Sequence, residues 1–182
     1  QGLKIYKSEF EEKFIAETRD YYARESTTFL SDHPMVEYML KVEDQLADEQ
    51  RRVCLYLNKS TEPILIRTCE EVLIKNHMES FHQEFRAILD DGRRTNLSLI
   101  YKLVSRIPNG LEKIKSILED HIVAQGLAEI EKCGQAVLQD PRLFVFTVLS
   151  VHECFEDLVR NSFENDAHFV YSIDKACEKF IN

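Results

Sequence analysis

All four prolines of this 182-residue chain, Pro34, Pro63, Pro108 and Pro141, fall at the edges of stretches whose apolar residues recur with helical spacing. Proline lacks a backbone N–H and clashes with the preceding turn, so it is tolerated in a first turn and excluded from a helix interior. The four positions therefore divide the chain into helices. With only 5 Gly and 4 Pro there is too little turn chemistry for a many-stranded β-protein, and no strand-like alternation competes. The fold class is all-α.

About eight helices follow from the pattern. The first runs from about Leu3 to Leu30, with Tyr6, Phe10, Phe14, Tyr21 and Phe29 at spacings compatible with one face, and breaks at Ser31-Asp32-His33-Pro34. The second reaches about Leu57, with Met39, Leu46 and Val53 seven apart and Glu43, Asp44, Asp48, Glu49, Arg51 and Arg52 on a charged outer face. Ser60 or Thr61 is expected to cap the third, whose inner face reads Leu65, Cys69, Val72, Leu73. The fourth carries Met78, Phe81, Phe85, Ile88 and Leu89 and stops at Asp90-Asp91-Gly92, where glycine supplies a left-handed cap. The fifth spans about Asn96 to Ile107, with Leu97, Ile100, Leu103, Val104 and Ile107 inward. Asn109 and Glu112 have capping-box spacing for a sixth helix reaching about Leu138, with Gly126 and Gly134 inside it at sites of close packing or a bend. Asp140-Pro141 opens a seventh with Leu143, Phe146, Leu149, Phe155 and Leu158 inward. Asn165 or Asp166 caps the eighth, striped by Phe169, Val170, Ile173, Cys177 and Phe180. Short connections imply stacked antiparallel neighbours, and periodicity alone leaves both a compact bundle and an elongated α-solenoid open.

The formal net charge is −9, and the closest basic pairs, Arg51-Arg52 and Arg93-Arg94, do not grow into a patch. Nucleic-acid binding and attraction to an anionic membrane both draw on Lys and Arg, so neither partner is expected. No apolar run approaches the roughly 20 residues of a membrane span. The five cysteines (Cys54, Cys69, Cys133, Cys154, Cys177) are odd in number and form no Cys-x-x-Cys pair. Most look set into apolar helical faces, and a reducing compartment, cytoplasm and nucleus, is expected. Asn58-Lys59-Ser60 and Asn96-Leu97-Ser98 spell the glycosylation sequon without a signal peptide, and neither is expected to be used. Opening Gln-Gly and ending Phe180-Ile181-Asn182, the chain reads as a piece of a longer one.

Chemistry-bearing motifs are incomplete. Glu79-Ser80-Phe81-His82 spells the Glu-x-x-His of di-iron bundles but has no second copy, so an exposed Glu and a half-buried His are expected instead. His152-Glu153-Cys154-Phe155-Glu156 begins like a zinc-protease helix and lacks the second His one turn on. Cys154, two residues from His152, faces another way on a helix and gains no activating base. His121 and His152 sit near apolar faces as packing histidines, and no glycine-rich phosphate loop exists. No catalytic, cofactor-binding or metal-binding residue is assigned, and no enzyme or cofactor is expected.

Several blocks do resemble a known family. Tyr21-Tyr22-Ala23-Arg24-Glu25-Ser26, Glu37-Tyr38-Met39-Leu40-Lys41-Val42-Glu43 and Glu49-Gln50-Arg51-Arg52-Val53 look like the second repeat of a cullin. Cys69 to His77, Leu103 to Ile107, Gly126 to Ile130, Asp174 to Cys177 and Phe180-Ile181-Asn182 continue the match in order. The resemblance covers essentially the whole chain and is closest to the cullin-1 type, which serves F-box substrate receptors. It implies an elongated α-solenoid of five-helix cullin repeats, with residues 1–62 the later helices of the second repeat and 63–182 the third.

The resemblance further implies a rigid stalk segment of a scaffold in a multisubunit RING E3 ubiquitin ligase, active in ubiquitin conjugation and protein degradation. The parent chain would bind an F-box adaptor through its first repeat and a RING protein through its C-terminal region, both outside this stretch. The segment itself would be non-catalytic, holding receptor and ubiquitin-charged enzyme in productive geometry. Phe81, Phe85, Phe146, Phe155, Phe169 and Phe180 are the core residues expected to stiffen it. Two rivals share parts of this pattern: a helical-rod scaffold such as a vesicle-tethering subunit, and a compact helical-bundle enzyme or ligand carrier.

Overall fold

Helices carry the described chain, residues 5–134 and 140–181 of the computed structural model, and no strand occurs among them. A π-helical stretch, Tyr6–Glu11, runs into α1 (Glu12–Asp32), followed by α2 (Met35–Tyr56), a 3₁₀ turn (Lys59–Thr61) and α3 (Glu62–Leu73). A second 3₁₀ turn (Lys75–His77) leads into α4 (Met78–Asp91), then α5 (Arg94–Val104), α6 (Leu111–Cys133), α7 (Pro141–Ser162) and α8 (Ala167–Ile181).

The breaks follow local chemistry, with some departures from the sequence expectation. Pro34 sits extended just before α2, and Gly92 takes φ 66° after α4. Asp140 Oδ1 accepts from Arg142 N at 3.0 Å to cap α7, and Asp166 Oδ1 accepts from His168 N at 2.8 Å at the start of α8. The cap before α3 comes from Asn58 instead of Ser60 or Thr61: its Oδ1 accepts from Ser60 N at 3.0 Å and nucleates the 3₁₀ turn. Thr61 is buried with its hydroxyl 3.0 Å from that of Tyr6. The capping box at Asn109 does not form, because Asn109 lies in the left-handed region at φ 58° and the α6 N-terminus has no side-chain cap bond. Gly134 is not inside α6 but ends it at φ 51°; Leu138 lies outside the described residues.

The chain forms two compact units. The first takes residues up to Phe81 together with Leu103–Pro108, and the second takes His82–Lys102 and residues from Asn109 onward. In the first, α1 and α2 both pack on α3. Met39, Val42, Leu46 and Val53 of α2 meet Leu65, Cys69, Val72 and Leu73 of α3 in a buried core that also holds Tyr38, Phe81, Leu103, Val104 and Ile107. The Tyr38 hydroxyl donates to the Leu73 carbonyl at 2.7 Å, and its ring meets Phe81 edge-on at 6.4 Å.

The α1 stripe differs from expectation. Tyr21 is 55% exposed while its neighbour Tyr22 is 6% exposed, and the buried face reads Glu11, Thr18, Tyr22, Ser26. Consecutive helical residues point about 100° apart, so only one of two adjacent tyrosines can face the core. Phe10 is exposed as well.

In the second unit α7 packs against both α6 and α8, which also pack on one another. Pairings of His121 with Phe155 and of His152 with Asp174 set α7 antiparallel to both. Phe85, Phe155, Phe169 and Phe180 are buried. Four rings, Phe85, Tyr101, Phe163 and Phe169, form one cluster with centroids 4.8–6.0 Å apart. Phe146, expected inward, is 69% exposed, and Leu149 is 54% exposed. Nine positions separate Phe146 from Phe155, which is two and a half turns, so the two rings leave opposite sides of α7. Gly126 is the close-packing glycine of α6: a Cβ there would lie 2.6 Å from Phe180 Cδ1 and Cε1.

Candidate functional site

The most developed polar constellation joins α1 and α2. Glu49 of α2 is 1% exposed, although its local sequence is charged. It occupies the stripe Met39, Val42, Leu46, Glu49, Val53, spaced three and four apart, which is the core-facing pattern of a helix. That stripe is the signal that could have found it among the acids assigned to the outer face. Burying a carboxylate costs several kcal/mol unless it is paired. Tyr22 supplies one partner, its hydroxyl donating to Glu49 Oε1 at 2.6 Å, and Arg52 Nη1 lies 3.1 Å from the same oxygen. Glu49 Oε2 is buried with no hydrogen-bond partner in the protein. Burial first, then the hydrogen bond to Glu49 and its charge, hold the Tyr22 phenol far above its ordinary range.

A cleft of about 450 Å³ opens here, lined by Phe14, Glu17 and Tyr21 of α1 and Asp48, Glu49 and Arg52 of α2 among others. Below it, burial pushes the Cys69 thiol up to about 12, with the charges of Glu49 and Glu70 adding to the shift. A thiol so raised is protonated at neutral pH and is no nucleophile.

Elsewhere the histidines pack. The His77 ring meets Tyr38 edge-on at 5.7 Å, its Nε2 lies 3.0 Å from Ser26 Oγ, and burial lowers its pKa below the ordinary 6.5. A depressed histidine pKa means that the unfolded chain binds the proton more readily than the folded one. Its contribution is therefore fully present above about 6.5 and lost as pH falls through that value toward the folded pKa. We expect His77→Gln to flatten the loss of stability between pH 7 and pH 5, as measured by urea midpoints; an unchanged slope would remove His77 as its source.

His82, expected half-buried, is 9% exposed, while Glu79 is exposed; the pair gathers no further ligands. His121 Nδ1 lies 3.2 Å from Asp90, and His152 Nε2 lies 2.9 Å from Asp174. Cys154 is exposed, with its sulfur 3.8 Å from Arg94 Nη2. Fewer cysteines are buried than expected: Cys69 and Cys177 are, Cys133 is half-buried, and Cys54 and Cys154 are exposed.

In the second unit, Glu119 of α6 lies within ion-pair reach of Lys175 (3.6 Å) and Lys179 of α8, and the bond to Glu119 raises the Lys179 pKa. Tyr101 donates to Asp166 Oδ2 at 3.1 Å; burial and that hydrogen bond push its phenol up to about 12. Phe163, at the centre of the aromatic cluster, was missed in the sequence because it lies just past the end of α7. Among the described residues no group of His, Cys, Asp and Glu could hold a metal ion, and no helix is long and apolar enough to cross a membrane. What these contacts do chemically is clamp helices together.

The chain has relatives that share this all-helical pattern over its full length. The Cullin family, described as the cullin alpha solenoid domain, matches residues 1–182. Cullin-1 of Dictyostelium discoideum is 41% identical over 99% of the chain and 23% of its own length. Cullin-1 of Caenorhabditis elegans is 42% identical over 99% of the chain and 23% of its own length. Cullin-1 of Schizosaccharomyces pombe is 35% identical over 100% of the chain and 24% of its own length. The chain thus spans about a quarter of the curated relatives it matches. With the blocks around Tyr22 and Glu49 now seen to build one buried contact, and a family match running from the first residue to the last, this chain belongs to the cullin family.

Proposed function

We propose that the chain is a rigid stalk segment of a cullin scaffold in a multisubunit RING ubiquitin ligase of the F-box type. The full-length match to the family, with Cullin-1 proteins among the relatives, carries the reading. The interior supports it, because each unit is cored by apolar side chains on packed helices and stiffness in a repeat protein comes from such packing. The parent binds an F-box adaptor and a RING protein at sites outside this stretch, and this segment sets the distance and orientation between them. The work is non-catalytic. It is done in the cytoplasm and nucleus, where five free cysteines are at home.

In this reading the repeat boundary falls near residue 62, at the break between α2 and α3, and not between Phe81 and His82, where the compact units divide. Repeats share their cores with neighbours, so compactness and repeat register need not coincide.

The test is a reconstituted ligase whose parent chain carries Phe155→Ala, a truncation inside the α6–α7–α8 packing. Adaptor binding is expected to survive while ubiquitylation of a receptor-bound substrate falls. Full ubiquitylation by a folded but more flexible variant overturns the rigidity claim. A parent that recovers vesicle-trafficking proteins and no RING protein overturns the ligase assignment.

A further inference from the structure

Glu49 is a buried carboxylate whose two protein partners, Tyr22 and Arg52, both use Oε1, while Oε2 has none. A carboxylate can accept about four hydrogen bonds, and an unmet buried oxygen is costly. We propose that the cleft above Glu49 is a receptor for one arginine side chain presented by a partner polypeptide.

Three features select that ligand. Glu17, Asp48 and Glu49 line the cleft against a single guanidinium, Arg52, so the cleft favours a cation even with Asp48 shared at 3.6 Å with Arg51. Phe14 and the exposed ring of Tyr21 offer aromatic faces, which suit a planar guanidinium better than a compact ammonium. The volume, about 450 Å³, matches a pocket for one side chain and is too small for a helix. The nearest arginines of α1 are engaged elsewhere: Arg19 with Glu71 at 3.1 Å, and Arg24 with the Asp20 carbonyl at 3.2 Å. The arginine therefore comes from another chain, its guanidinium donating to Glu49 Oε2 and stacking on Tyr21. This is a contact site on the scaffold's side and is independent of whether the parent is an F-box ligase.

The probe is acetyl-arginine amide, titrated at low ionic strength against the 182-residue chain, with acetyl-citrulline amide as the uncharged isostere. The readout is the NMR shift of the Glu49 side-chain carboxyl and of the Tyr21 and Tyr22 ring signals. Saturable shifts with half-saturation in the millimolar range are expected for the arginine compound and none for citrulline. Glu49→Gln should abolish them, and Tyr21→Ala, an exposed position that leaves the core intact, should weaken binding at least threefold. Equal shifts with citrulline, no saturation, or binding retained in a folded Glu49→Gln chain overturns the proposal. Shifts at the same signals on raising chain concentration without probe assign the arginine to a second copy. Loss of probe binding in the longer parent assigns it to the parent itself. Either result overturns the partner claim.

Discussion

Phe169→Ala is expected to lower stability by about 3–5 kcal/mol, whereas Phe146→Ala is expected to change it by less than about 0.5 kcal/mol. Both residues are phenylalanines on apolar-rich helical stretches of the same unit, yet Phe169 is fully buried and Phe146 is 69% exposed. Phe169 lies 4.8 Å from the ring of Phe163 and 5.8 Å from that of Tyr101, so truncation removes two ring contacts and leaves a void that Phe85 and Phe163 cannot fill from their own fixed positions. Urea unfolding followed by circular dichroism would measure both. A Phe146→Ala loss comparable to that of Phe169→Ala would mean that the outer face of α7 is packed, contrary to its exposure.

Gly126→Ala is the second large effect, and its sign opposes propensity. Alanine in a helix interior gains about 1 kcal/mol over glycine, but overpacking a tight contact costs about 1–3 kcal/mol. At Gly126 the new methyl would meet Phe180 Cδ1, Cε1 and Cγ at 2.6–2.8 Å, so the ring must move as a whole rather than at its tip. Net destabilisation is expected. Adding Phe180→Leu should recover part of it, giving a favourable coupling above about 0.5 kcal/mol in a double-mutant cycle. Additive losses would place the strain elsewhere.

Helix order and most boundaries were legible because they rest on local chemistry: Pro34, Pro141, Gly92 and Asp140 act through their own backbones. Which face turns inward was less legible where a helix is apolar nearly all round. The run from Leu143 to Leu149 contains six apolar residues, and only its distance in turns from Phe155 separates inside from outside. Glu49 was read as solvated because carboxylates usually are, and its burial depends on the Tyr22 hydroxyl, 27 positions earlier. Asn109 was read as a side-chain cap, yet asparagine also tolerates the left-handed region, and at φ 58° the second property prevailed. The cleft beside Glu49 was not legible at all, since it arises from two helices meeting at one height.

The first compact unit takes six of its residues, Leu103–Pro108, from beyond a stretch of chain that belongs to the second. On the ribosome, therefore, the earlier unit cannot close when its first 81 residues have emerged. It waits for Leu103, Val104 and Ile107 to complete its core, by which time α4 and most of α5 have already been synthesised. Vectorial synthesis thus couples the two units in time, and no single cut between them yields a contiguous fragment with a whole interior.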